Sequence, residues 1–234
     1  MSERLVVPDR VDVEAELSID HPWWEFAACY NVAASDSIPV ARMHGSESEG
    51  VMMGWGLIPA AAKGDVRRRG PARIYADCVS SGHFRTAWFQ GQRGIVPLAG
   101  FYLWQRPAAG HRQPHYVRLV NRPVFGVAAL WERSVSEDDD VVESCALLTV
   151  PANALVAGID GDSDQMPAIL RREDYDTWLR SRVADARELL ATYPQMGMVC
   201  HPVGPYVNDP GLDGPQLIRP APVESVEPQR RRGT

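Results

Sequence analysis

Apolar positions fall mostly in short runs broken by glycine, proline and charge, which is the pattern of strands rather than of helices. His115-Tyr-Val-Arg-Leu-Val120, Val124-Phe-Gly-Val-Ala-Ala-Leu-Trp131 and Cys145-Ala-Leu-Leu-Thr-Val150 are the clearest strands, rich in β-branched and aromatic residues. Val51-Met-Met-Gly-Trp-Gly-Leu-Ile-Pro59 reads as a strand entering a turn. Gly94-Ile-Val-Pro97 and Gly100-Phe-Tyr-Leu-Trp104 flank another turn, and Tyr30 begins an extended region. Residues 136–142 are charged and read as a hairpin loop. Residues 60–72, with alanine, glycine and arginine but no apolar period, read as a loop. Helical stretches are fewer: Val11 to Leu17, His83 to Gln90, Glu173 to Leu179, and Val183 to Tyr193. In the last, Val183, Ala186, Leu189, Leu190 and Tyr193 share one face. Met198-Val-Cys200 adds a strand. Beyond Pro210 the chain is rich in proline, glycine and charge and ends on Arg230, Arg231 and Arg232, the composition of a poorly ordered tail.

Many short strands with few helices predict a mostly β fold with peripheral helices, built on a compact barrel or sandwich-like core. One domain over residues 1–209 and a tail over 210–234 are expected. No βα alternation supports a dinucleotide fold. Gly54-Trp-Gly56 lacks the rest of any phosphate-binding signature, so no cofactor is expected.

The 234 residues carry a formal charge of −6, which argues against a surface that coats DNA broadly. The charge is uneven. Lys63, Arg67, Arg68, Arg69 and Arg73 make a basic segment, and Glu137 to Asp140 an acidic one. Phosphate contacts beside a cleft are the functional reading of the basic segment, and a solvated loop is the alternative. Cys29, Cys78, Cys145 and Cys200 match no metal-ligand spacing. The opening residues form no apolar signal, and no run reaches the roughly 18 residues that span a bilayer. A cytoplasmic monomer without membrane partners is expected, in which removal of Met1 would make Ser2 the N-terminus.

Seven short motifs occur in a fixed order: Tyr30-Asn-Val-Ala-Ala34, Trp55-Gly-Leu-Ile-Pro59, Val96-Pro-x-x-Gly-Phe-Tyr-x-Trp104, Ala129-Leu-Trp-Glu132, Leu148-Thr-x-x-Ala-Asn153, Met166-Pro-x-Ile-Leu170 and Asn208-Asp209. Together they resemble the SOS response-associated peptidase (SRAP) family over most of residues 2–209. The resemblance implies a compact β-rich domain with a positively charged cleft for single-stranded DNA. It implies crosslinking to abasic sites: an N-terminal cysteine attacks the sugar aldehyde through its amine, and its thiol closes a thiazolidine ring. An asparagine, a glutamate and a histidine assist. The family name also records an inferred autopeptidase step.

This chain departs from that pattern at each catalytic position. The family opening Met-Cys-Gly-Arg matches Met1-Ser-Glu-Arg4, so the cysteine is Ser2. Asn-Ala-Arg falls on Tyr75-Ala-Asp77, and Gly-Phe-Tyr-Glu-Trp becomes Gly100-Phe-Tyr-Leu103-Trp104. The histidine position is Asp160 or Ser163, depending on which flank is counted, and the arginine near it becomes Gln165. A serine hydroxyl closes such a ring poorly, Leu103 moves no proton, and Asp77 repels phosphate.

The expected function is DNA-damage-associated binding of single-stranded or abasic-site DNA with lost or weak crosslinking. Arg4, Lys63, Arg67, Arg68, Arg69, Arg73 and Trp55 are the nucleic-acid-contacting candidates. Residual Schiff-base chemistry through the Ser2 amine is one alternative, and a non-catalytic interaction module reusing the fold is another. Cys78, near Tyr75, reads mainly as an inert thiol. The scattered histidines read as structural or surface residues, and Glu132 as a residue that caps or pairs.

Overall fold

The computed structural model describes residues 4–60, 70–105, 112–135, 139–159 and 164–221. The first half runs β1 (Arg4–Val7), α1 (Arg10–Leu17), β2 (His21–Pro22), β3 (Cys29–Ala33), β4 (Ser37–His44), β5 (Glu47–Trp55), β6 (Arg73–Tyr75), α2 (Arg85–Phe89), β7 (Arg93–Leu98) and β8 (Gly100–Gln105). The second runs β9 (Gln113–Leu119), β10 (Phe125–Val135), β11 (Val141–Pro151), α3 (Ala154–Ile159), β12 (Gln165–Pro167), α4 (Tyr175–Arg180), α5 (Val183–Glu188) and β13 (Met198–Pro202).

Strands β11, β10, β7, β4 and β5 pair in that order, and β5 returns to β11 in parallel at Ser144–Gly54 and Cys145–Trp55. The sheet therefore closes into a five-stranded barrel, which removes its edges. Directly opposed residues share a face. Arg42, Gly94, Ala129 and Leu147 thus fall on one face, with Val40, Val127 and Cys145 in the next rows, and these fill the barrel interior. The alternate positions lie outside, under the helical layer. There Gly50 meets Trp24 so closely that a Cβ would lie 2.6 Å from its ring. This burial on both faces is why β10 and β11 read as nearly unbroken apolar runs. Toward the β4–β5 hairpin, Arg42 closes the interior. It donates to Glu49 (2.7 Å) and Glu143 (2.8 Å) and lies 4.3 Å over the Trp131 ring.

A second sheet, ordered β13-β9-β8-β1-β3, is antiparallel throughout. Leu5, Val7, Phe101, Leu103, Val117 and Leu119 project from one face into the main core. Val6, Tyr102 and Tyr116 project from the other and form a smaller core with Val203 and Val207.

Ile218 packs against that smaller core. Residues 210–221 pack onto the domain: Leu217 is buried, the Asp213 carboxylate accepts from Tyr30 N (2.6 Å), and Ala221 N donates to Pro202 O (2.8 Å). Residues 222–234 lie outside the described residues. The last predicted helix is also shorter, ending at Glu188 rather than Tyr193. Side chains from elsewhere take up the following carbonyls, as Asn153 Nδ2 does with Tyr193 O (2.8 Å), while Leu189, Leu190 and Tyr193 still pack on the core. The helix at residues 10–17 follows the sequence closely: the Asp9 carboxylate caps it by accepting from Val11 N (3.0 Å), and Ser18 ends it in the left-handed region.

Candidate functional site

Connected elements bring several nominated positions toward one place. β6 lies parallel to β11, with Tyr75 opposite Thr149 near the end of that strand. The chain then passes Ala152-Asn153 into α3. Asn153 caps that helix through Oδ1, which accepts from Val156 N (3.0 Å). α3 packs against β8, the strand that carries Leu103. β8 in turn pairs with β1, Phe101 opposite Leu5, so Leu103 lies two residues further toward the end where the described chain begins. Ser2, Asp160, Ser163, Lys63, Arg67, Arg68 and Arg69 lie outside the described residues.

Leu103 has no exposed surface and packs in the main core with Leu5, Val156 and Ile159. Across the strand it faces His115 on β9. Tyr75 is 48% exposed, so its ring meets solvent. Asp77 and Cys78 follow it on an exposed 3₁₀ turn, Ala76–Cys78. Arg73 precedes it, half-buried.

Other nominations fall elsewhere. Trp55, expected to contact bases, is a core residue: it is 1% exposed and its indole donates to Ala72 O (2.7 Å). Its neighbours in sequence, Gly54 and Gly56, allow the close turn that buries it. Arg4 alternates with the core-facing Leu5 and so projects from the opposite face to Leu103. There its guanidinium donates to Asn31 Oδ1 (2.9 Å), and Asn31 Nδ2 holds the carbonyls of Asp209 and Leu212. Trp104 is half-buried and bonded to Asn208 Oδ1 (2.7 Å). Trp131 lies beneath Arg42.

Glu132 does cap a backbone group. It is 2% exposed, and its Oε2 accepts from Ala60 N, where the basic segment begins. Its Oε1 has no partner among the described residues. Burial pushes this carboxyl above the usual carboxylate range, against the pull of the Ala60 N–H and His83. The sequence reading set His115 aside with the other scattered histidines as structural or surface. The signal for it was the alternation in Gly100–Trp104 and Gln113–Leu119, which places residues 103 and 115 together once the two runs are taken as a hairpin. Among the described residues no group of three His, Cys, Asp or Glu side chains could hold a metal ion, and no helix is long and apolar enough to cross a membrane.

The model of the SOS response associated peptidase (SRAP) family matches residues 5–210. The chain is 28% identical over 212 residues to the abasic site processing protein YoqW of Bacillus subtilis, covering 88% of this chain and 93% of that one. It is 24% identical over 247 residues to the abasic site processing protein HMCES of Mus musculus, covering 86% and 68%. A protein of Bacteroides thetaiotaomicron superposes with a TM-score of 0.75 at 24% identity, over 82% of this chain and 85% of that one. A protein of Bordetella bronchiseptica does so with a TM-score of 0.75 at 21% identity, over 87% and 100%.

Proposed function

Because this chain belongs to the SOS response-associated peptidase family, we propose that it engages single-stranded or abasic-site DNA and that the family's stable crosslink is lost or weak in it. The observation that carries this reading is Leu103, wholly buried where the family has its glutamate. No proton can be supplied from that position to a leaving oxygen. Tyr75 and Asp77 replace the asparagine and arginine on the neighbouring rim, and Ser2 replaces the thiol that would close the ring. Relatives named for abasic-site processing support the choice of DNA as partner. The formal charge of −6 leaves local contacts from Lys63, Arg67, Arg68, Arg69 and Arg73 to hold phosphates.

Two measurements test it. Binding to a single-stranded oligonucleotide, titrated with salt, should weaken steadily as salt rises; affinity indifferent to salt, or no binding at low salt, refutes the DNA reading. A denaturing gel of protein with abasic DNA, run without reductant, should show little stable adduct. Rapid, complete crosslinking refutes the loss of chemistry.

A second reading is favoured by the placement of β1 beside the strand that carries Leu103. The Ser2 α-amine, two positions before β1, forms an imine with the sugar aldehyde without ring closure. Borohydride should then trap an adduct that disappears when the amine is acetylated. An unchanged adduct assigns it to a lysine instead.

A further inference from the structure

Leu103 and His115 are directly opposed on β8 and β9. Opposed residues of an antiparallel pair project from one face, with Cβ atoms about 4.5–5.5 Å apart. An imidazole therefore stands beside the leucine. Leu103 is fully covered, whereas His115 is half-buried, so His115 is the member of the pair that a ligand entering from solvent meets.

The ring is held in place. His115 Nδ1 lies 3.1 Å from the carbonyl oxygen of Gln113. A carbonyl only accepts, so this contact puts a proton on Nδ1 and leaves the Nε2 lone pair free in the neutral ring. Among the described residues nothing bonds to Nε2. Leu103 and Pro202 are its opposed neighbours on β8 and β13, and the 3₁₀ turn Pro205–Asn208, which packs on β9, carries the ionisable Tyr206. The ionisable neighbour on β13 is Cys200, two residues from Pro202, and burial pushes its thiol up.

We propose that His115 is the proton-transfer residue of this site. The proposal rests on the reading that the chain's α-amine meets the aldehyde of an abasic site. The amine adds to the aldehyde carbon and gives a carbinolamine. Protonated His115 passes its Nε2 proton to the carbinolamine hydroxyl as the C–O bond breaks. Water leaves, the nitrogen lone pair forms the C=N bond, and the positive charge moves from the ring to the iminium. Nε2 then takes the proton from the iminium nitrogen, which regenerates the imidazolium and leaves a neutral imine. The acid lost at Leu103 is thereby supplied from the next strand.

The test uses the full chain, abasic single-stranded DNA and borohydride trapping, with initial rates measured across pH for the native protein and His115→Gln. Glutamine keeps a polar side chain but cannot ionise. The variant should lose roughly 10²-fold in trapping rate. Its affinity for a strand carrying a tetrahydrofuran analogue, which has no aldehyde, should fall far less than its trapping rate. A variant that traps at the native rate with the native pH profile overturns the proposal. Should the variant fold poorly, the His115 ring resonances of the native protein are followed by NMR while the analogue strand is added. They should shift, and bound analogue with unmoved resonances also overturns the proposal. A native protein that neither traps abasic DNA nor binds the analogue refutes the functional reading itself, and the proposal falls with it.

Discussion

Leu103→Glu would return the family's acid to its position, and the structure sets the cost. Leu103 is wholly buried among Leu5, Phe101, Val117 and Ile159. Giving up that burial costs about 1.5–3 kcal/mol. A protonated carboxyl placed there exchanges water for a mainly apolar site beside His115 and adds about 1–3 kcal/mol. Near pH 4 the expected loss is therefore about 2.5–6 kcal/mol, against a typical domain stability of about 5–15 kcal/mol. The loss should grow with pH. Burial raises the folded-state pKa of the introduced carboxyl above its ordinary value of about 4.3. Between those two values the folded state keeps a proton that the unfolded state has released, so stability falls as pH rises, by about 1.4 kcal/mol per unit, and levels off above the folded pKa. Urea unfolding of the native protein, Leu103→Glu and Leu103→Gln between about pH 4 and 8 reads this directly. Leu103→Gln should show the loss without the added pH slope. If Leu103→Glu is as stable as the native protein at pH 8, the position is open and polar, and the assignment of a closed, acid-free pocket is refuted.

Glu132→Gln should be at least as stable as the native protein at neutral pH. Burial raises the Glu132 carboxyl, so its stabilising protonated form is present below the ordinary carboxylate range and lost as pH rises through the folded value; the amide should flatten that slope. Glu132→Ala should instead cost about 1–3 kcal/mol by leaving Ala60 N–H without its acceptor, and equal destabilisation by both variants in urea would refute the account. Tyr175→Phe removes a hydroxyl bonded to Gly126 N (2.6 Å), Arg122 Nη2 (2.9 Å) and Glu16 Oε1 (3.0 Å). It should cost about 1–3 kcal/mol in thermal or urea unfolding because the Gly126 N–H is left buried, and a neutral result would show that the network is dispensable. Ser2→Cys alone should give at most a slow adduct on a denaturing gel with abasic DNA, since Leu103, Tyr75 and Asp160 or Ser163 still replace the assisting groups; fast, complete crosslinking would show the remaining cleft to be competent.

Much of the β core was legible because the barrel buries both faces of β10 and β11, which leaves continuous apolar runs in the sequence. Closure of the barrel was not legible. It depends on β11 meeting β5 about ninety residues away at Ser144–Gly54, a contact that no local pattern records. Trp55 was nominated as a base-contacting residue beside a favoured core reading, because a tryptophan between glycines suits a buried turn but can also serve as an exposed platform; its burial and the bond to Ala72 O make it a core residue. Residues 210–221 look like a tail by composition, yet Asp213 and the carbonyls of Asp209 and Leu212 are bonded to Tyr30 and Asn31, some 180 residues earlier. At the candidate site the substitutions were plain from the motifs, but whether Leu103 lined an opening or filled it was not. His115 read as one of the scattered structural or surface histidines because a hairpin register, rather than any spacing in the chain, sets it beside Leu103.

The packing around Leu103 bears on how the site came to differ from the family pattern. A glutamate deleted from an otherwise unchanged pocket leaves behind donors that once served it, and buried donors without acceptors are costly. Two side-chain polar atoms among the described residues are buried without a partner, Arg93 Nη1 and Glu132 Oε1. Arg93 is bonded to the end of α4 through the carbonyls of Trp178 and Ser181, and Glu132 to Ala60, so neither belongs to the face that Leu103 shares with His115. Apart from His115, opposite it on β9, the buried residues near Leu103 on β1, β8, β9 and α3 are apolar, and they suit a leucine as they stand. The leucine is therefore accommodated by its neighbours, and the one imidazole opposed to it stands on the next strand, at His115.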